Sequence, residues 1–104
     1  MSVTSVYTVF ASREEAERIG RDAVEQRLAA CVNILGPIRS IYRWQGAVES
    51  ADEVAAIFKT TEASAAALMT RIAALHSYEV PCIASWPVNK AIEGYAAWIE
   101  SSVG

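Results

Sequence analysis

The sequence predicts an α+β domain in which a four-stranded antiparallel sheet carries helices in the order β-α-β-β-α-β, followed by a short C-terminal helix. Two observations lead to this prediction. Four segments are rich in β-branched and aromatic residues, which favour strands, and two segments between them have apolar residues at helical spacing. At 104 residues the chain has the length of one domain, so residues 1–104 are treated as a single domain.

The first strand covers residues 3–10, VTSVYTVF. Ser12 and Glu15 follow at capping-box spacing, in which the serine oxygen accepts an N–H of the first helical turn and the glutamate reaches back. The residues behind them form one apolar stripe at helical spacing: Ala16, Ile19, Gly20, Ala23, Val24 and Leu28. The chain therefore passes from a strand into a helix of about four turns.

The second and third strands form a long hairpin. Residues 31–44, CVNILGPIRSIYRW, have strand character, and Gly36-Pro37 within them is typical of a sheet edge or a bulge. Gln45-Gly46 is the predicted turn, and residues 47–60 form the returning strand. Strand alternation places two sets of residues on opposite faces: Ile38, Ser40, Tyr42 and Trp44 on one, Arg39, Ile41 and Arg43 on the other.

A second helix begins after Thr61, its predicted cap, and residues 81–88 form the fourth strand between Pro81 and Pro87. The apolar stripe of this helix consists of Ala65, Leu68, Met69, Ile72 and Leu75. Residues 91–102 form the short last helix. Its inward-facing residues are predicted to be Ile92, Tyr95, Ala96 and Ile99.

This order of elements is the ferredoxin-like arrangement. Right-handed crossovers put both crossover helices on the same face and give the sheet order 4-1-3-2. Strands 2 and 4 are then opposite edges, roughly 14 Å apart. That separation is too large for a disulfide between Cys31 and Cys82 within one subunit. Both cysteines are predicted to be buried core thiols.

The hairpin is longer than a domain of this size. Strands of about 14 residues span roughly 46 Å, whereas a globule of this length has a diameter of about 34 Å. The overhanging half carries Ile38, Ile41, Tyr42 and Trp44, which one subunit cannot cover. Exposed apolar edge strands favour pairing with another chain. The alternative is a bulged hairpin that folds back over its own sheet.

The composition excludes several classes of function. The formal net charge of −3 and the pI near 5.1 argue against a nucleic-acid partner. No apolar run has the roughly 20 residues that a membrane helix needs, and residues 1–10 do not resemble a signal peptide. We therefore expect a soluble cytoplasmic protein. Nucleophilic catalysis would need Cys31 or Cys82 beside His76, and no third group accompanies such a pair, so we expect no enzyme.

His76 and Glu79 are the candidate metal ligands. They lie in LHSYEVPCI, residues 75–83, where Pro81 ends helical geometry. One imidazole and one carboxylate fall short of the usual three or four ligands. A neighbouring subunit would have to complete the shell. The alternative is structural, because a histidine after the last helical turn complements the helix dipole.

The sequence also resembles the CutA family of divalent-cation tolerance proteins. The resemblance rests on RLAACVNILGPIRSIYRWQGAVE, IFKTTE, LHSYEVPCI with the following PV, and YAAWIESS, in order over nearly the whole chain. It implies a ferredoxin-like fold, a homotrimer built through the long hairpins, and a link to tolerance of copper and other divalent metals. Cu²⁺ or another divalent cation, bound weakly, is the implied cofactor. No other cofactor is expected.

Transfer of the family's site to this chain is uneven. The family's metal ligands have been associated with a cysteine ending strand 1 and adjacent histidines closing helix 2, where this chain has Phe10, Leu75 and His76. Tyr42, Trp44, Lys59 and Tyr78 are expected to line a cleft between subunits. The family is also similar in architecture to PII proteins, so the alternative function is a PII-like sensor of a small ligand, or an assembly scaffold, without metal. Lys59 beside His76 would favour an anion there.

Overall fold

The structure, a computed structural model, describes residues 2–104 as a four-stranded antiparallel sheet with three helices. The elements are β1 (Val3–Phe10), α1 (Arg13–Glu25), β2 (Cys31–Trp44), β3 (Ala47–Thr61), α2 (Glu62–Leu75), β4 (Ile83–Val88) and α3 (Glu93–Ser102). The strand order β2-β3-β1-β4 confirms the predicted α+β fold and its 4-1-3-2 sheet. None of the helices within residues 2–104 has the length and hydropathy needed to cross a membrane.

The two faces of the sheet are covered differently. Helices α1 and α2 cover one face, which we call the helix-covered face, and the main core lies beneath them. Its fully or almost fully buried residues include Val6, Phe10, Ile19, Phe58, Leu68 and Ile72. Helix α3 packs through Ala96 and Ile99 on Val3, which points to the other side of β1 from Val6. This second side, the open face, is covered by α3 at one end only.

The hairpin of β2 and β3 extends beyond the rest of the molecule. Its turn residues Gln45 and Gly46 both have positive φ, 49° and 83°, as a two-residue hairpin turn with the right twist requires. A bulge between Ile34 and Gly36 interrupts the register of edge strand β2. The molecule is 45 Å long but only 25 and 22 Å across, and residues 41–50 are all exposed. The predicted overhang is therefore present.

Several element boundaries differ from the prediction. Strand β3 runs one residue further, to Thr61, and α1 ends at Glu25, so Leu28 lies beyond it. The larger differences are at the starts of α3 and β4. Helix α3 begins at Glu93, and Ile92 is 83% exposed instead of facing inward, because its backbone (φ −60°, ψ 133°) is not helical. Tyr95, predicted inward as well, is partly exposed. Strand β4 begins at Ile83, opposite Thr8. The preceding Cys82 offers its carbonyl to the Thr8 hydroxyl at 2.8 Å and stays outside the ladder.

The predictions for both cysteines and for the cap of α2 were wrong in detail. Cys31 is half-buried and Cys82 is exposed, because one begins an edge strand and the other lies in the segment before β4. Neither belongs to the core. Thr61 does precede α2, but its side chain makes no capping hydrogen bond. The N–H of Glu62 instead donates to the Ser2 carbonyl at 3.1 Å.

Candidate functional site

The junction between α2 and β4 lies against the end of β1. His76 ends the helix, and its N–H donates to the Ile72 carbonyl at 2.9 Å. The imidazole stacks on the Phe10 ring, with centroids 5.1 Å apart and planes 12° from parallel. Phe10 is fully buried. The helix therefore stops where its last side chain completes the cover over Phe10.

Both ring nitrogens of His76 have partners. Nε2 lies 2.8 Å from the Val9 carbonyl oxygen, and since a carbonyl only accepts, Nε2 carries the hydrogen and donates it. Nδ1 then accepts the N–H of Tyr78 at 3.0 Å. This tautomer leaves no lone pair for a metal ion. Coordination by His76 would break one of these two contacts with the backbone.

Glu15 fixes the same junction from the other side, and the sequence did not indicate this role. Ser12 caps α1 as predicted, accepting the Glu15 N–H at 3.1 Å. The Glu15 carboxylate accepts the Ala11 N–H at 3.1 Å and, with its other oxygen, the Ser77 N–H at 2.7 Å. Burial raises the pKa of Glu15, but the hydrogen bonds from Ser77 and Ala11 outweigh it, so the pKa lies below its ordinary value.

Tyr78 links the junction to the base of the hairpin. Its hydroxyl donates to Glu53 Oε2 at 2.6 Å, and its ring lies 4.9 Å from that of His76. Burial, followed by the hydrogen bond to the Glu53 carboxylate, raises the pKa of Tyr78 far above its ordinary value. Tyr78 is therefore a neutral donor at physiological pH.

A cavity of about 780 Å³ lies on the open face, between the hairpin and residues 77–82. The register pairs Ile38 with Glu53 and Tyr42 with Glu49. Directly opposite residues of antiparallel strands point to the same face, so these four side chains point to the open face. The cavity brings together four of the predicted site residues: Tyr42, Trp44, Tyr78 and Glu79. His76 is not among the lining residues.

Lys59 lies elsewhere on the open face. It pairs with Ser5 on β1 and Cys31 on β2, and its Nζ donates to Asn33 Oδ1 at 3.1 Å. Six residues along β3 separate it from Glu53, roughly 20 Å. Within one chain, therefore, Lys59 does not line the cavity and does not stand beside His76. The expected preference for an anion at His76 loses its basis in the single chain.

Residues 2–104 of a single chain do not bring a complete set of metal ligands together. Across residues 2–104 no group of three or more His, Cys, Asp and Glu side chains is placed to hold a metal ion. Glu79 is exposed, and the nitrogens of His76 are engaged. Desolvation and the nearby Glu53 raise the pKa of Cys82, which disfavours the thiolate that would bind a metal.

Comparison with known proteins gives one consistent result. The sequence model of a family described as CutA1 divalent ion tolerance protein matches residues 4–102. The chain is 41% identical over 98 residues to the divalent-cation tolerance protein CutA of Archaeoglobus fulgidus, covering 94% of this chain and 95% of that protein. It is 42% identical over 93 residues to the protein of the same name from Thermus thermophilus, covering 89% and 90%.

Solved structures agree over the whole length. The crystal structure of CutA from Xylella fastidiosa superimposes with a TM-score of 0.97 at 34% identity and covers all of both chains. The structure of the CutA from Archaeoglobus fulgidus, described as periplasmic, superimposes with a TM-score of 0.95 at 39% identity. It covers 98% of this chain and 99% of the other.

Proposed function

Because this chain belongs to the CutA1 divalent ion tolerance family, we propose that it acts in tolerance of copper as a homotrimer. Other divalent cations are included in the proposal. The metal is bound weakly, in clefts between subunits. The protein works by assembly and binding, without catalysis.

The observation that carries the assembly is the exposed apolar surface of the overhanging hairpin. Ile41 is 76% exposed, Val48 65% and Trp44 44%. They lie at the far end of a hairpin whose outer strand, β2, is an edge of the sheet. An edge strand with uncovered apolar side chains favours pairing with another chain, so a second copy of this hairpin is the partner we propose.

The proposed metal contact involves Glu79 and His76 together with groups from a neighbouring subunit. Glu79 is exposed and supplies a carboxylate. His76 supplies a nitrogen only when its bond to Tyr78 N–H or Val9 oxygen is given up. Each lost contact reduces affinity, which is why weak binding is proposed. Phe10 and Leu75 occupy the other positions that a ligand set of this family would use.

Calorimetric titration with Cu²⁺ and Zn²⁺ tests the metal contact. Metal-free wild type is compared with His76→Ala, Glu79→Gln and the control Glu17→Gln, which changes an exposed carboxylate on α1. We expect the first two variants to bind more weakly and the control to match wild type. If wild type and His76→Ala bind equally, or neither binds below millimolar, His76 is not a ligand.

The assembly is tested with Trp44→Ala. Removing this aromatic anchor from the hairpin is expected to lower the denaturant concentration at which half of the subunits have dissociated. Analytical ultracentrifugation measures this midpoint. Val24→Ala, which shortens an exposed apolar side chain on α1, is the control. An unchanged dissociation midpoint for Trp44→Ala, or a wild-type monomer at micromolar concentration, contradicts the proposal.

A PII-like sensor without metal is the second candidate. The specific observation in its favour is that both His76 nitrogens are engaged while a cavity with aromatic walls lies next to them. In that case the metal titrations show no binding, and a small organic ligand occupies the cavity instead.

The proposed compartment is the cytoplasm. Both cysteines are free thiols, which is typical of proteins in a reducing compartment. The relative from Archaeoglobus fulgidus is described as periplasmic, so cell fractionation with antibody detection is the deciding measurement.

A further inference from the structure

The loop after α1 contains a residue whose backbone conformation does not suit its type. Arg27 has a φ of 60°, in the left-handed region that residues other than glycine adopt at a cost. Its N–H donates to the Val24 carbonyl at 3.0 Å, and the N–H of Leu28 donates to the Ala23 carbonyl at 3.0 Å. This pair of bonds is the Schellman ending of a helix, in which the left-handed position usually holds glycine. An arginine at this position points to a role for its side chain.

The Arg27 side chain contacts the end of α3. Its Nε donates to the main-chain oxygen of Gly104 at 3.2 Å, and its Nη2 donates to the Ser101 carbonyl at 3.1 Å. The N–H of Gly104 donates back to the Arg27 carbonyl at 3.0 Å. A carbonyl in the last turn of a helix has no partner within that helix, so the guanidinium satisfies the one at Ser101. We call these three hydrogen bonds the Arg27 clasp.

Helix α3 has fewer buried residues than either of the other helices. Only Ala96 and Ile99 within residues 93–102 are buried. They pack with Val3 and Ala30 in a small cluster that is separate from the main core. At the start of the helix, Ile92 makes no side-chain capping hydrogen bond. An element with so few buried apolar contacts can open locally at a lower free energy than the whole fold.

We propose that α3 is a flap over one end of the open face, and that the Arg27 clasp sets how often it opens while the main core stays folded. Opening uncovers the apolar side chains of Val3 and Ala30, together with Val88, which packs against the same cluster. This apolar surface is then available in the open state and covered in the closed state. The flap needs neither a metal ion nor the cavity beside the hairpin, so it goes beyond the proposed role in metal tolerance.

Amide hydrogen exchange, followed by NMR on the assembled, metal-free protein, measures the opening. Arg27→Ala keeps the left-handed backbone position but removes two exposed hydrogen bonds, so the amides of residues 97–102 should exchange about tenfold faster. Amides of the main core, such as those of Phe58 and Ile72, should keep their wild-type rates. Arg18→Ala, which removes an exposed arginine from α1, is the matched control and should change neither set of rates.

Arg27→Gly separates the clasp from a general contribution to stability. Glycine removes the same two hydrogen bonds, so the α3 amides should again exchange about tenfold faster. Glycine also suits the left-handed backbone, so the Leu28 amide, which is bonded to Ala23, should exchange about fivefold more slowly. A residue that only stabilised the fold as a whole would move both rates in the same direction. Arg27→Lys, which keeps the charge but not the planar set of donors, should accelerate α3 exchange less than Arg27→Ala does.

Three results would overturn the proposal. The first is unchanged α3 exchange in Arg27→Ala. The second is equal acceleration of α3 and the main core, because α3 would then open only when the whole fold does. The third is α3 exchange that slows when the protomer concentration is raised tenfold, because a neighbouring subunit, and not the clasp, would then hold the helix in place.

Discussion

The two faces of the sheet differ in how completely one chain covers them. On the helix-covered face Val6 and Phe58 pair across β1 and β3 and are both fully buried. On the open face the neighbouring pair, Tyr7 and Ile57, stays partly exposed, and the hairpin beyond it has no cover at all. One face thus completes a core within the chain. The other presents aromatic rings and carboxylates to whatever binds there.

The largest expected change in stability comes from a comparison of two single substitutions at adjacent positions of β3, one on each face of the sheet. Phe58→Ala removes a fully buried ring and should cost about 3–5 kcal/mol in the free energy of unfolding. Ile57→Ala, one residue away on the open face, should cost less, because its side chain is only partly buried. Urea unfolding at one fixed protomer concentration measures both, since assembly makes stability depend on concentration.

Equal losses of unfolding free energy in Phe58→Ala and Ile57→Ala would contradict the difference in burial between the two faces. That result would mean that an assembled partner buries Ile57 as deeply as the helices bury Phe58. Repeating the unfolding at a tenfold lower protomer concentration decides the cause. A loss at Ile57 that depends on concentration comes from the partner, whereas the loss at Phe58 should stay constant.

A smaller effect is expected at Glu15, an α1 residue whose carboxylate accepts the N–H of Ser77, one of the residues that line the cavity. Glu15→Gln offers one carbonyl oxygen to two partly buried N–H groups, those of Ala11 and Ser77. Leaving one donor unsatisfied should cost about 1–3 kcal/mol at neutral pH. Glu17→Gln, an exposed change on the same helix, should cost almost nothing.

The pH dependence of the unfolding free energy tests whether the charged form of Glu15 stabilises the fold. Because the folded pKa of Glu15 lies below its ordinary value, the charged carboxylate stabilises the fold above the unfolded pKa of about 4.3. This contribution disappears as the pH falls through the folded pKa. The difference in unfolding free energy between wild type and Glu15→Gln should therefore shrink on acidification. A difference that stays constant from pH 7 to about pH 3 would contradict the role of the carboxylate.

The sequence predicted the parts of the molecule that depend on neighbours in the chain. The hairpin turn at Gln45-Gly46 and the cap at Ser12 follow from local spacing, and the strand order follows from crossover handedness. The contact of Glu15 with Ser77 joins residues 62 positions apart, and no local pattern indicates it. Ile92 was expected inward because periodicity does not show where helical backbone begins.

The candidate site was predicted only where it depends on local strand alternation, and not where it depends on contacts between distant segments. Tyr42 and Trp44 share a strand face by alternation, so their meeting in the cavity could be foreseen. Lys59 is on the same face of the sheet, yet β3 carries it away from His76, and only the register with β1 shows this. The engagement of both His76 nitrogens depends on the Val9 carbonyl and the Tyr78 N–H, which are main-chain groups without a sequence signature.

The last comparison, which includes the smallest expected effect, is between two helical glycines: Gly20 in α1, on the helix-covered face, and Gly94 in α3, on the open face. A Cβ at Gly20 in α1 would lie 2.8 Å from Val32 Cγ1, so Gly20→Ala overpacks the helix-covered face and should cost about 1–3 kcal/mol. A Cβ at Gly94 in α3 meets nothing within 4 Å. Alanine favours a helix over glycine, so Gly94→Ala should stabilise the protein by up to about 1 kcal/mol.

If Gly20→Ala lowers the unfolding free energy and Gly94→Ala raises it, the chain itself fills the space at the helix-covered face but not the space around the start of α3. The measurement is again urea unfolding at two protomer concentrations. If Gly94→Ala destabilises the protein, and does so only where subunits are associated, a neighbouring subunit packs against the start of α3. The apolar side chains of Ile92 and Trp98, 83% and 46% exposed in one chain, would then belong to an interface. If it stabilises at both concentrations, this end of the open face is free, and the contacts between subunits lie at the hairpin.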